Sequence, residues 1–319
     1  MAEKGNIIYK TVQSYGTESI EPVSLSASIG SAIYPEFAQN ALELVNNAYI
    51  ALNDAKESVK HYETFSDSKR HEIQSKNLIL LASYIQNALA SNKLRLAFQP
   101  IIERKTGDVA YYESLLRIVC DDGTTTSAGP FIPVAEKMGF IDIIDALVLK
   151  MVVDELKKHP DVMFSLNVSN ASIHSEEWTL LAKKLLTPDI AKRLIVEITE
   201  THESYSDKVV LQFVDNIHSI GCAIALDDFG TGYTSFAQLK TLPIDMIKID
   251  GSFVRDIVNN EESRFFVKTL IDFGKNFRLS TVAEFVENAQ IAEILTNMGV
   301  DYMQGNYFSP AVNYRAWLN

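Results

Sequence analysis

Cysteine and histidine are both scarce in this 319-residue sequence. Only Cys120 and Cys222 are present, no Cys-x-x-Cys pair occurs, and the six histidines show no metal-ligand spacing. A disulfide framework needs several paired cysteines, so this class of protein is disfavoured and a reducing compartment is indicated. A zinc site built from cysteine and histidine is not expected either.

Long apolar runs and an excess of basic residues are also absent. No run reaches the length of a membrane span, and Met1-Ala2-Glu3-Lys4 does not resemble a signal peptide. We therefore expect a soluble, cytoplasmic protein without membrane contact. The net charge of −12 disfavours a nucleic-acid polymer as partner. A small anionic ligand stays compatible with this charge, because bound metal ions would supply positive charge.

The apolar fraction of 47% is enough for a sizeable core, and the length suggests one large domain with a smaller one, or two domains. In residues 1–65, an alternating run at 23–29, a helical pattern over Ala41–Lys56 and a short apolar run over Val59–Phe65 predict a small α/β fragment. Residues 66–91 are predicted to form a linker helix whose apolar stripe offers a dimer contact.

Strand-like and helix-like runs alternate over residues 92–319. The predicted strands are Leu94–Ile101, Val109–Leu116, Val162–Val168, Arg193–Ile198, Cys222–Leu226, Met246–Ile249, Ser280–Ala283 and Val300–Met303. The predicted helices are Ile141–Lys158, Ser175–Leu186, Val209–Ile220, Phe236–Lys240, Glu262–Asn276 and Ala289–Met298. This alternation predicts an α/β fold, a modified TIM barrel. Only Glu103–Asp108 separates the first two strands, so a hairpin and one antiparallel strand are expected.

Polar side chains stand at or just beyond the C-terminal ends of nearly all these strands, and such ends meet at one mouth of a barrel. Each residue alone is compatible with a helix cap, a surface acid or a buried ion pair, but repetition over seven strands favours a common site. In chain order the residues are Glu113 and Arg117, Asn167, Glu197 and Glu200, Asp227 and Asp228, Lys248, Glu284 and Glu287, and Gln304.

The adjacent acids Asp227 and Asp228 are followed by a Gly-Thr-Gly turn. Neighbouring residues of a strand face opposite sides, so both acids can face one site only where the chain leaves the sheet. They form either a solvated turn or a cation site. The all-oxygen donor set favours Mg²⁺ or Mn²⁺ over zinc. Two such cations bridged by one aspartate favour phosphate-ester hydrolysis, in which Lys248 would hold the attacking water, neutralise developing charge or act as a counter-ion.

Taken together, these residues resemble the EAL family of cyclic di-GMP phosphodiesterases over about residues 92–310. The matching segments are Phe98–Ile101, Glu113–Arg117, Phe131–Pro133, Asn167–Ser169, Glu197–Glu200, Asp227–Ser235, Lys248–Asp250, Ala283–Glu287 and Gln304-Gly305. The resemblance implies a TIM barrel with one antiparallel strand and hydrolysis of cyclic di-GMP to linear pGpG. The alternatives are a receptor that binds cyclic di-GMP without hydrolysis and a scaffold that only dimerises.

The resemblance also implies roles for single residues. Catalysis would rest on Lys248, Glu113 and Glu284, with two Mg²⁺ or Mn²⁺ ions and inhibition by Ca²⁺. Glu200 would anchor the loop Phe229–Ser235, which couples metal binding to homodimer formation through the barrel. The first metal would be held by Glu113, Asn167, Glu197 and Asp227, the second by Asp227, Asp228 and Glu284, and the substrate by Gln99, Leu116, Arg117, Glu287 and Gln304.

Three positions depart from the family pattern. Ser114 replaces an Ala, Phe285 stands where the family usually has Gly, and Asn306 replaces an aromatic residue. The ring of Phe285 is expected to point either into the barrel mouth, where it would crowd the second metal, or away toward the helical layer.

The segment before the barrel resembles the last part of a GGDEF domain through Ser26–Gly30, Tyr34-Pro35 and Ala48–Lys56. The Gly-Gly-Asp-Glu-Phe signature is absent from the chain. Residues 1–65 are therefore not expected to synthesise cyclic di-GMP, and they are either a relic or a truncated piece of such a domain.

Overall fold

The structure is a computed structural model, and it describes residues 7–12, 14, 27–36, 38, 40–57, 62–66, 81–199, 208–230 and 242–318. The chain divides into two compact units, residues 1–81 and 82–319. The boundary falls inside the predicted linker segment. Residues 81–90 of that segment are helical, whereas 67–80 lie outside the described residues.

The first unit contains a strand–helix–strand motif. Strand β1 (Ile29–Ser31) pairs in parallel with β2 (Tyr62–Thr64), and the helix Ala41–Glu57 lies between them in the chain. A parallel pair requires such a crossover connection. A Cβ atom at Gly30 would overlap the backbone of the helix, so the close approach of strand and helix depends on glycine. Residues 23–26 and 59–61 of the two predicted strands lie outside the described part of the chain.

The second unit is a closed barrel of eight strands, as predicted. The order around the barrel is β3, β4, β6, β7, β8, β9, β10 and β11, with β11 returning to β3. The bounds of its strands and of the edge strand β5 are β3 Leu94–Glu103, β4 Val109–Val119, β5 Thr125–Ser127, β6 Phe164–Val168, β7 Leu194–Thr199, β8 Ala223–Phe229, β9 Met246–Ile249, β10 Ser280–Ala283 and β11 Tyr302–Gln304.

Strand β3 is antiparallel to both of its neighbours, β4 and β11, and the other barrel strands run parallel to one another. The predicted hairpin between the first two strands is therefore confirmed. The sequence reading missed β5, which extends the sheet by pairing with the end of β4. Three residues are too few to show the alternation of a strand, and β5 is defined only by its hydrogen bonds with β4.

Helices cover the outside of the barrel, and side-chain caps start several of them. Ser175, Asn260 and Asn288 each accept a hydrogen bond from a backbone amide of the first turn. Across the described residues, no helix combines the length and apolar character needed to cross a bilayer. The predicted helix Phe236–Lys240 falls in a stretch that is not described. The helices are Ile132–Lys137, Ile141–Lys158, Asn170–Ile173, Glu176–Leu185, Pro188–Ala191, Lys208–Ile220, Gly251–Arg255, Glu261–Phe277 and Ala289–Met298, with 3-10 turns at Gly129–Phe131 and Ala316–Leu318.

The C-terminal segment closes the outer side of β3. Val312 forms a two-way backbone bridge with Phe98. The ring of Trp317 packs within about 5 Å of the rings of Phe98, Tyr112 and Phe164, measured between centroids. A hairpin, and not a helix, connects β3 to β4. The C-terminal segment therefore covers the apolar outer surface that helices cover on the parallel strands.

Arg193 joins the N-terminal ends of the parallel strands. Its guanidinium is nearly buried and donates to the backbone carbonyls of Leu156, His159, Val162 and Asp189. Leu156, His159 and Val162 lie at the end of the helix Ile141–Lys158 and in the connection to β6, and Asp189 lies in the short helix before β7. A buried carbonyl that loses its donor carries a desolvation cost, so this one side chain stabilises both connections.

We expect Arg193→Met to lower the free energy of unfolding by about 2–4 kcal/mol, because four carbonyls lose a donor at once. Urea unfolding of both proteins measures the difference. Lys192→Met is the matched control, since its exposed ion pair with Asp189 should contribute less than about 1 kcal/mol. Equal losses in the two variants would contradict this role for Arg193.

Candidate active site

Two layers of side chains fill the barrel. The lower layer is apolar and contains Ile101, Tyr111, Ile195, Ala225, Met246 and Val282. Side chains two residues apart on a strand share a face, so the next inward positions lie directly above this layer, at the C-terminal ends of the parallel strands. These positions are polar, and they are Gln99, Glu113, Asn167, Glu197, Asp227, Lys248, Glu284 and Gln304.

Lys248 is the centre of the polar layer. Its ammonium nitrogen lies 2.7 Å from Oε2 of Glu197, 3.0 Å from Oδ1 of Asp227 and 2.7 Å from Oε1 of Glu284. Oε2 of Glu113 lies farther away, at 3.8 Å. The side chain is 1% exposed, and its three donors are used by three carboxylates on three different strands or strand ends.

Burial and charge shift the pKa values of this cluster in opposite directions. Burial alone would lower the pKa of Lys248, but the surrounding carboxylates outweigh burial and raise it. Burial raises the pKa of Glu197 and of Glu284 to about 8, and Lys248 opposes this only in part. One ammonium cannot neutralise four carboxylates, so at neutral pH and without a further cation part of the cluster holds protons.

Glu113 is held in its ionised form by specific partners. Burial would raise its pKa, but Lys248 and hydrogen bonds from Gln304 and Asn167 outweigh burial and lower it. The amide nitrogen of Gln304 donates to Oε2 at 2.6 Å, and that of Asn167 donates to Oε1 at 2.8 Å. Gln304 also donates to Gln99 at 3.1 Å. This chain of hydrogen bonds orders one side of the site before any ligand binds.

The donor set fits a divalent cation. Asp227, Asp228 and Glu284 each place a carboxylate oxygen within 4.8 Å of the others. Burial first, and then the charge of Asp227, raise the pKa of Asp228 to about 6, as expected for adjacent acids without a cation. Oε1 of Glu197 is buried and has no hydrogen-bond partner among the described residues. An orphaned buried carboxylate oxygen beside clustered acids is the arrangement that a hard cation satisfies.

The backbone turns sharply at the two acidic corners of the site. Asp228 has φ of 55° and Phe285 has φ of 53°, a region that residues with a side chain rarely adopt. In this conformation Asp228 can leave the alternation of β8, and its backbone N–H donates to Oδ1 of Asp227 at 3.0 Å. Both acids lie within β8, where its register with β9 shifts between Leu226 and Phe229, so the expectation that they can face one site only where the chain leaves the sheet is wrong: an irregularity inside the strand has the same effect.

Two clefts open at the polar layer. The first, of about 290 Å³, is lined by Gln99, Glu113, Leu115, Glu284, Phe285, Glu287, Gln304, Gly305 and Asn306. The second, of about 410 Å³, lies beside it and includes Leu115, Leu116, Arg117, Asn167 and Asp145 among its lining residues. Leu115 borders both clefts. The predicted substrate residues therefore divide between them, with Gln99, Glu287 and Gln304 in the first and Leu116 and Arg117 in the second.

The sequence reading missed Asp145 in the second cleft. Its carboxylate is nearly buried and accepts hydrogen bonds from the backbone N–H of Ser169 at 2.9 Å and from its hydroxyl at 2.6 Å. Burial raises the pKa of Asp145 even against these hydrogen bonds. The signal for this residue was an acid on the apolar face of the helix Ile141–Lys158, between Ile144 and Val148.

The departures from the family pattern lie around the same clefts. Ser114 is buried and borders the larger cleft, and Asn306 borders the smaller one. Phe285 is 44% exposed and borders the smaller cleft, and its ring also lies against Gly251 and Arg255 of the short helix Gly251–Arg255. Glu200 and residues 231–235 of the predicted anchored loop lie outside the described residues.

Comparison with known proteins supports the same family. A family model described as "EAL domain" matches residues 82–311. The cyclic di-GMP phosphodiesterase PdeF of Escherichia coli is 35% identical over 236 residues, which is 72% of this chain and 31% of that protein. The Pseudomonas aeruginosa protein MucR, named a bifunctional diguanylate cyclase/cyclic di-GMP phosphodiesterase, is 30% identical over 96% of this chain and 45% of its own length. The chain thus spans less than half the length of these relatives.

Solved structures resemble the barrel as well. The PaMucR phosphodiesterase in complex with cyclic di-GMP matches with a TM-score of 0.67 and 28% identity, over 73% of this chain and 97% of that one. The FimX EAL domain of Pseudomonas aeruginosa, bound to cyclic di-GMP, matches with a TM-score of 0.66 and 27% identity, over 73% and 97% of the two chains.

The raised pKa values of Glu197 and Glu284 predict how stability depends on pH in chelator. The folded protein binds these protons more tightly than the unfolded chain between pH 4.5 and about 8, so the free energy of unfolding should fall as the pH rises through this window. We expect a slope of roughly 1 kcal/mol per pH unit from each of the two carboxyls, and therefore a slope about half as steep in Glu284→Gln, measured by urea unfolding. The exposed Glu293→Gln is the control, and an unchanged slope in Glu284→Gln would contradict the assignment.

Proposed function

Because this chain belongs to the EAL domain family, we propose that it is a metal-dependent phosphodiesterase that hydrolyses cyclic di-GMP to linear pGpG. The observation that carries this proposal is the buried Lys248 surrounded by Glu113, Glu197, Asp227 and Glu284 at the mouth of the barrel. Relatives named as cyclic di-GMP phosphodiesterases and neighbours solved with cyclic di-GMP bound support this choice of substrate.

In the proposed reaction, water adds across one phosphodiester bond of the cyclic dinucleotide. The water oxygen bonds to phosphorus, the bond from phosphorus to O3′ breaks, and the proton ends on the released 3′-hydroxyl. The product is linear and carries a 5′-phosphate. The phosphoryl group gains negative charge during the attack, so a site that supplies fixed positive charge lowers the barrier.

Two metal ions would be held by the acidic residues of the site. Glu113, Asn167, Glu197 and Asp227 would bind one ion, and Asp227, Asp228 and Glu284 the other. When bound, Mg²⁺ or Mn²⁺ would stabilise the negative charge of the phosphoryl oxygens and lower the pKa of bound water. The all-oxygen donors and the orphaned Oε1 of Glu197 support these metals over softer ones.

Lys248 would orient the attacking water. Its three donors contact Glu197, Asp227 and Glu284, the carboxylates that would hold the metals, so its ammonium lies among the groups around which the reaction would take place. Glu113, Gln304 and Asn167 would keep their mutual geometry, because their hydrogen bonds are already formed. Gln99, Glu287, Leu116 and Arg117 would contact the substrate from the two adjoining clefts.

We further infer that the N-terminal unit corresponds to the last part of a GGDEF domain. The alignment with MucR covers 96% of this chain and so extends well before residue 82, where the EAL match begins. The parallel strand–helix–strand motif is compatible with this assignment. Assembly of the barrel into a homodimer and a cytoplasmic location are further parts of this proposal.

Metal dependence is the first test of this function. With cyclic di-GMP and Mg²⁺ or Mn²⁺, the purified chain should produce pGpG, resolved by chromatography, and excess chelator should stop the reaction. Ca²⁺ should inhibit, since it prefers more ligands and longer bonds than Mg²⁺. Binding of cyclic di-GMP without product would instead indicate a receptor, and neither binding nor product would indicate a scaffold. Full activity in chelator would contradict the metal mechanism.

Removal of the buried ammonium is the second test. Lys248→Ala should lower kcat at least about a hundredfold, because a preorganised cationic donor is lost from the reacting centre. Substrate affinity should change far less, since the metals would remain. The surface variant Lys150→Ala is the control, and circular dichroism verifies the fold of both. Near-normal turnover in folded Lys248→Ala would show that this lysine has only a structural role.

A further inference from the structure

Phe285 occupies a backbone conformation that favours glycine. Its φ of 53° lies in the left-handed region, where a side chain costs about 1–2 kcal/mol. The residue follows directly after Glu284, whose carboxylate contacts Lys248. A bulky residue that persists at a strained position beside a candidate active site suggests a function for its side chain.

Neighbouring residues are shaped to hold the phenyl ring in place. A Cβ atom at Gly251 would overlap the ring, and the three nearest atoms to that Cβ all belong to Phe285. The guanidinium carbon of Arg255, one turn later on the same short helix, lies 4.1 Å from the ring centroid. Gly251 therefore provides the space for the ring, and Arg255 holds it through a cation–π contact.

Phe285 borders the smaller cleft and is not among the buried residues of the core. Phe285 is 44% exposed and lines the 290 Å³ cleft together with Glu284, Glu287 and Gln304. Large apolar groups that stay exposed within a polar cleft are typical of ligand contacts. A planar aromatic ring beside carboxylate acceptors is complementary to a purine base, which offers a flat face and N–H donors.

We propose that Phe285 is a stacking platform for one nucleobase of the substrate and that Arg255 is its positioning residue. This inference rests on the proposed function, because the base is supplied by the cyclic dinucleotide. The chain thereby contacts its substrate through an aromatic side chain at a position where glycine is usual in the family, and it accepts a strained backbone at that position.

The first experiment distinguishes the effect of the aromatic face from the effect of side-chain size. Phe285→Leu keeps an apolar side chain at the same backbone position but removes the aromatic face, whereas Phe285→Tyr keeps the face. We expect Phe285→Leu to raise KM for cyclic di-GMP roughly tenfold or more with kcat within about threefold. Phe285→Tyr should stay close to wild type. Calorimetric titration of cyclic di-GMP into the same variants combined with Lys248→Ala measures affinity without turnover.

The second experiment tests how the ring is held. Arg255→Met should raise KM several-fold with little change in melting temperature, and Arg255→Lys should restore most of the affinity because it keeps a cation over the ring. Gly251→Ala should lower both melting temperature and affinity, because its methyl group collides with the ring. Adding Phe285→Gly to Gly251→Ala should restore the melting temperature but not the affinity.

The outcomes separate this inference from the proposed function. A wild-type chain that neither binds nor cleaves cyclic di-GMP overturns both. A wild-type chain that binds cyclic di-GMP, together with a Phe285→Leu variant of equal affinity, overturns the platform alone. If Arg255→Lys loses as much affinity as Arg255→Met, the positioning role of Arg255 is overturned.

Discussion

A buried ammonium inside a ring of carboxylates is the constraint on which this structure depends. Lys248 reaches the centre of the barrel mouth from β9 and contacts acids contributed by β7, β8 and the end of β10. Removing a charge from water is costly unless it is paired, so the four neighbouring carboxylates and the lysine require one another. One cation cannot balance them all, and the excess negative charge makes the site ready to bind divalent metal.

The apolar layer below the site explains how these charges can be held. Ile195, Ala225 and Met246 seal the barrel interior two residues before Glu197, Asp227 and Lys248 on the same strands. The layer below the cluster is apolar, so the charges pair with one another across the strands that carry them. The antiparallel β3 contributes Gln99 to the same level, where Gln304 links it to Glu113. The unusual strand direction is thus compatible with a complete ring of polar groups.

Phe285, at the rim of the site, requires a specific residue beside it. Phe285 is compatible with the barrel only because Gly251 leaves room for its ring, although the two residues are 34 positions apart in the chain. Arg255 and Gly251 both lie on a five-residue helix that Asp250 caps. A helix this short has little stability of its own, so its placement depends on the end of β9 and on the ring that it contacts.

Sequence alone determined the barrel, its hairpin and nearly all members of the polar layer. Alternation and strand-end position are local properties, and eight repetitions of one pattern overcome the ambiguity of each. The sequence could not reveal β5, because three residues are too few to show a periodicity. It could not reveal the position of the Phe285 ring or the burial of Asp145 either, because each depends on a neighbour that is distant in the chain. Only the tertiary structure decided which carboxylates share Lys248 and which residues line each cleft. Distances between side chains follow from barrel closure and register, which no single segment encodes.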